Sequence, residues 1–131
     1  MTKEQKFKKA YAKELLSIAQ ADMESTEVLY ASAKGRRENI CFFAQQVVEK
    51  SIKAILCHLE LPVPFTHNLD ILIDRIPEDR DLADSVAFNE LNEYATIRRY
   101  EEGVVELDQD DLEMALNLAK KAVNWAQSII K

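Results

Sequence analysis

Glycine is nearly missing from this 131-residue chain: there are two, beside three prolines and two cysteines. Two isolated glycines, Gly35 and Gly103, cannot build a glycine-rich phosphate loop. Scarce turn-formers beside many Ala, Leu, Glu and Lys disfavour strands and favour long helices. Cys41 and Cys57 fall within one expected helix, roughly 24 Å apart at 1.5 Å per residue, which is too far for a disulfide. Neither carries the signature of a thiol nucleophile, and buried free thiols are common. Histidine is equally sparse. His58 and His67 stand at no metal-ligand spacing with another His or Cys, because the side chains of adjacent Cys57 and His58 diverge on a helix. No metal or other cofactor is therefore expected. The absence of a signal peptide and of any long apolar run points to a soluble protein in a reducing, cytoplasmic setting, away from membranes. A net charge of −6 argues against gripping duplex nucleic acid by bulk electrostatics, but not against a local basic site.

What the chain does have is helical periodicity. Its length suits one domain over residues 1–131, large enough to bury roughly two-thirds of its unfolded surface. The patterning predicts an all-α fold, a single antiparallel bundle of about five helices. The first runs from about Lys8 to Ala33, with Leu15, Ile18, Asp22, Ser25 and Leu29 on one face and Gly35 as terminator. The second runs from about Glu38 to Leu59 and is stopped by Pro62 and Pro64. Its apolar arc includes Ile40, Phe43, Ala44, Val47, Val48, Ile52, Ile55, Leu56 and Leu59. A short third helix spans about Asn68 to Arg75, started by a local hydrogen bond from His67, with Thr66 or Asn68 as the alternative cap. A fourth spans about Asp84 to Arg98. Asp108 is a plausible cap for the last, whose stripe of Leu112, Ala115, Ala119, Ala122, Ala126 and Ile129 permits close helix approach. The lysines at 3, 6, 8, 9 and 13 read most simply as a solvated helix start.

The second helix has one polar stripe: Gln46, Glu49, Lys50 and Lys53 recur at i, i+3, i+4 and i+7. Its run Phe-Phe-Ala-Gln-Gln-Val-Val-Glu-Lys-Ser-Ile-Lys-Ala-Ile-Leu resembles the second helix of HEPN domains, small all-α modules named for nucleotide binding. Three further pieces agree in order: Ala21-Asp22-Met23, Thr66-His67-Asn68-Leu69 and Arg98-Arg99-Tyr100. The resemblance implies a helical bundle, a homodimer with its cleft between protomers, and a functional arginine, for which Arg99 directly before Tyr100 is the better match. HEPN ribonucleases resemble one another in an Arg followed a few residues later by a His. Here both histidines precede Arg98, so the standard ribonuclease chemistry lacks its proton-moving group.

The candidate binding residues are thus Arg98, Arg99 and Tyr100, suited to phosphate and base, with Glu49, Lys50 and Lys53 as a phosphate-facing stripe. Each has a plainer explanation. Arginines near a helix C-terminus interact with its dipole, and Glu49–Lys53 is an ordinary i, i+4 pair. Asp22 on an apolar face should have a partner, and Lys50 or Lys53 is the expected one. Three functions follow. The chain is a binding module for a nucleotide or single-stranded RNA. The resemblance implies a nucleotidyltransferase as its partner in a toxin–antitoxin-like pair; alternatively the chain is a pure interaction module of such a pair, without a ligand. The third is a divergent metal-independent ribonuclease.

Overall fold

The structure is a computed structural model and describes residues 4–5, 8–80, 82, 85–92 and 107–130. Among them are five α-helices: α1 Tyr11–Ala31, α2 Arg37–His58, α3 Leu69–Asp74, α4 Ser85–Glu90 and α5 Gln109–Ile129. The all-α bundle expected from the sequence is what forms. No helix among the described residues is long and apolar enough to cross a membrane.

Helix α2 is the centre. It packs most extensively on α1, next on α5, and also touches α3. Residues 32–36 turn the chain back, so α1 runs antiparallel to α2. The buried residues of α2 include Ile40, Val47, Val48, Ile52 and Ile55, as its periodicity requires. Phe43 departs from that arc: it is 42 % exposed, while Cys41 and Gln45 take up buried positions instead.

On α1 the buried face is not the expected one. Ala12, Leu16, Ala19, Met23 and Thr26 are buried, while Ile18 and Ser25 are exposed and Leu15, Asp22 and Leu29 lie at the edge. The two stripes differ by one residue, and the one bearing Ala12 and Ala19 allows the backbones of α1 and α2 to approach more closely. Buried Thr26 satisfies its hydroxyl by donating to Asp22 O at 2.6 Å, a common helix device for that side chain.

Helix ends also differ from expectation. The left-handed residue after α1 is Ala33 (φ 60°), not Gly35. Gly35 serves instead to admit Leu29, whose Cγ would lie 2.5 Å from an added Cβ. Helix α2 stops before its prolines. Glu60 takes φ 58°, Glu60 N donates to Cys57 O at 3.0 Å and Leu61 N to Leu56 O at 2.8 Å. These are the paired bonds of a Schellman termination. A two-residue antiparallel ladder joins β1 (Glu4–Gln5) to β2 (Val63–Pro64), an element that composition alone argued against.

Helix α5 forms as read. Asp108 Oδ1 accepts from Asp111 N at 2.9 Å and Asp111 Oδ2 accepts from Asp108 N at 2.9 Å, a reciprocal capping box. Leu112 and the four alanines are buried, and Ile129 is half-buried. The expected fourth helix begins with α4, and its continuation through Tyr94, Ala95, Ile97 and Arg98 lies outside the described residues.

Candidate functional site

The polar stripe of α2 divides over a ridge. Lys50 forms an ion pair with Asp22 of α1, the partner that the sequence suggested for that carboxylate. Lys53 takes the other expected pairing, with Nζ 3.0 Å from Glu49 Oε2 one turn away. Glu49 itself is not a surface residue. It is only 4 % exposed, and such a carboxylate needs several partners to offset lost hydration.

It finds them in places the stripe does not predict. His67, in the loop before α3, sets Nδ1 at 2.9 Å from Glu49 Oε1 and 3.1 Å from Oε2. Gln45, wholly buried, donates from Nε2 to His67 O at 3.1 Å and more loosely to Glu49 Oε1 at 3.4 Å. Gln46 Nε2 donates in turn to Gln45 Oε1 at 2.8 Å. Because an ionised carboxylate can only accept, the ring hydrogen facing it sits on Nδ1, and the ring itself remains half in solvent.

His67 therefore does not start α3. That work falls to Asn68, whose Oδ1 accepts from Asp70 N at 2.9 Å, and to Asn92, whose Oδ1 accepts from Leu69 N at 2.6 Å. Thr66 Oγ1 accepts from Asn68 N at 3.0 Å, bracing the same turn. The short Asn side chain reaches its own helix start; the longer imidazole is free to swing back onto α2.

Beside Glu49 lies a recess of about 250 Å³ between α1, α2 and β2, lined by Tyr11, Leu15, Glu49, Lys50, Lys53, Val63, Pro64 and Phe65. Phe65 is 56 % exposed. Two ammonium groups and two aromatic rings thus share one concavity. On the other flank of Lys50, a second recess of about 340 Å³ is bounded by Asp22, Ser25, Thr26, Phe42, Phe43 and Gln46. Lys50 stands between the two.

The remaining groups offer less chemistry. Burial raises the Cys41 thiol to about 12, with the Asp111 and Glu38 carboxylates adding to the effect. Burial also raises Cys57. Thiols held protonated are poor nucleophiles. His58, in the last turn of α2, is pushed below its ordinary value by burial first and then by Lys9, Arg80 and Lys13. Arg98, Arg99 and Tyr100 lie outside the described residues, so of the candidate binding residues the structure brings together Glu49, Lys50 and Lys53. Sequence reasoning missed Gln45, Tyr11 and Phe65. The one available signal was the Gln45–Glu49 spacing of four on a helix, which puts a second polar group on the inner side of the stripe.

A family model described as the HEPN domain matches residues 12–129. No curated protein and no solved structure matches the chain.

Proposed function

The chain belongs to the HEPN domain family, and from that membership we propose that it is a nucleotide- or RNA-associated binding module without the family's standard ribonuclease activity. The observation that carries the reading is the lysine-lined recess. Lys50 and Lys53 are point charges for phosphate, and Tyr11 and Phe65 offer ring faces at the same rim for a base. Arg98, Arg99 and Tyr100 complete the site in this proposal, across a homodimer cleft. Absence of any histidine after Arg99 argues against cleavage by the usual pair.

A second reading has its own support. Ile18 and Phe43, 43 % and 42 % exposed, are large apolar side chains on the α1 and α2 surfaces. Where such side chains join in one patch they favour a protein partner, in this reading a second copy of the chain or a nucleotidyltransferase in a cytoplasmic toxin–antitoxin-like pair. A divergent ribonuclease is the remaining alternative, and it requires RNA cleavage that Arg99→Ala abolishes.

The deciding experiment is a thermal-shift screen of ATP, GTP, AMP and short single-stranded RNA against wild type, Lys53→Ala and Arg99→Ala. A ligand that binds only the native state raises its melting point by mass action. A shift present in wild type and lost in both variants supports the composite site. No shift with any ligand at millimolar concentration rejects direct binding, and co-purification with a nucleotidyltransferase then favours the interaction module.

A further inference from the structure

The two lysines of the recess are both paired. Lys50 is paired with Asp22, which lies outside the recess, and Lys53 with Glu49. Two ammonium groups against two carboxylates leave this cluster without net charge, so an entering phosphate gains little Coulombic attraction from it. Its aromatic rim does not repair this. The group that can is already bound to the cluster: the His67 ring, whose Nδ1 lies 2.9 Å from Glu49 Oε1 and which is 55 % exposed.

Resting on the recess reading above, we infer that phosphate binding here is proton-linked, with His67 as the positioning residue that releases Lys53 from Glu49. With a neutral ring, Glu49 is the counter-charge of Lys53 among the described residues. When the ring takes a second proton at Nε2, Glu49 is shared between an imidazolium and an ammonium. The cluster then carries one net positive charge, and Lys53 Nζ turns to the ligand while His67 keeps the buried carboxylate satisfied. Without that substitution, a lysine leaving Glu49 strands a buried negative charge, which is the expensive case. Gln45 fixes the geometry by holding both the His67 carbonyl and, more loosely, Glu49. The ionisable groups on the neighbouring elements are Lys50 and Lys53 from α2 and Tyr11 and Asp22 from α1, with exposed Asp70 three positions beyond His67 in the first turn of α3. Of these side chains only histidine ordinarily changes charge between about pH 5 and 8.

The test is calorimetric titration with a pentamer of oligouridylate, whose internal phosphodiesters keep constant charge over that range. Wild type, His67→Asn and Glu49→Gln are compared between about pH 5.5 and 7.5, in buffers of different ionisation enthalpy so that proton uptake is read directly. Wild type should bind roughly tenfold more tightly at the acid end, the scale of one added charge partly screened by solvent, and take up a proton. His67→Asn keeps a hydrogen-bond donor toward Glu49 but cannot gain the charge, so its affinity should stay weak and flat with pH. Glu49→Gln leaves the cluster with a permanent net positive charge, so it should bind at the upper pH about as tightly as wild type at the lower. A merely structural Glu49–His67 tether predicts the opposite, weaker binding by Glu49→Gln. Pentamer binding by wild type without proton uptake, or an unchanged pH profile in His67→Asn, overturns the linkage and leaves the recess reading standing. No binding by wild type or Glu49→Gln at any pH overturns both.

Discussion

Glu49 and His67 are separated by eighteen positions in sequence, yet the carboxylate oxygens of one lie 2.9 and 3.1 Å from Nδ1 of the other. The contact ties the loop before α3 to the middle of α2. It also makes a buried carboxylate the hub of four polar side chains: Gln45, Lys53, His67 and, through Gln45, Gln46.

Removing that hub should cost stability. Glu49→Ala deletes the acceptor for Lys53 and His67 and leaves Gln45 with one fewer partner. The expected loss is about 1–3 kcal/mol, the range for losing hydrogen bonds to a charged group, because Lys53 and His67 keep access to solvent. Urea unfolding monitored at the single tryptophan, Trp125, measures it. A loss within about 0.5 kcal/mol, the surface-residue range, would mean that Glu49 is solvated in solution.

Gly35 is required by space rather than by backbone angle. A Cβ there would lie 2.5 Å from Leu29 Cγ and 2.8 Å from Leu29 Cδ1. Gly35→Ala should therefore destabilise by about 1–3 kcal/mol, as overpacking does. In the background of Leu29→Ala the added methyl should cost much less, and the coupling in that double-mutant cycle is the diagnostic quantity.

His58 gives the fold an acid-sensitive element. Its folded-state value is lowered, by burial first and by neighbouring Lys9, Arg80 and Lys13. The unfolded chain thus binds the proton more readily than the folded one. The contribution is fully present above the ordinary imidazole value of 6.5 and is lost as pH falls below it. His58→Gln should flatten the decline in melting temperature across that acidic window. An identical decline in wild type and variant would assign the sensitivity elsewhere.

Features set by neighbouring residues were legible. The Asp108–Asp111 capping box, the alanine stripe of α5 and the apolar arc of α2 each follow from spacings within one helix. A lysine partner for Asp22 was legible too, because a half-buried carboxylate on one long helix has few cations on the next within reach, but the structure chose Lys50 over Lys53. Ile18 and Ser25 are exposed although the pattern set them on the apolar face of α1, because two adjacent stripes there are both plausible. Gly35 was taken for a terminator because glycine usually is one, whereas Ala33 adopts the left-handed angle.

The sequence by itself determined the helices, the cap of α5, the family and the lysine-bearing stripe, since those depend on propensity and period along the chain. The tertiary structure decided which stripe of α1 faces inward, that Phe43 looks outward, and that His67 binds Glu49 instead of capping α3. It decided these because burial and charge pairing depend on what the opposing element presents at close range, and a one-dimensional pattern does not carry that distance.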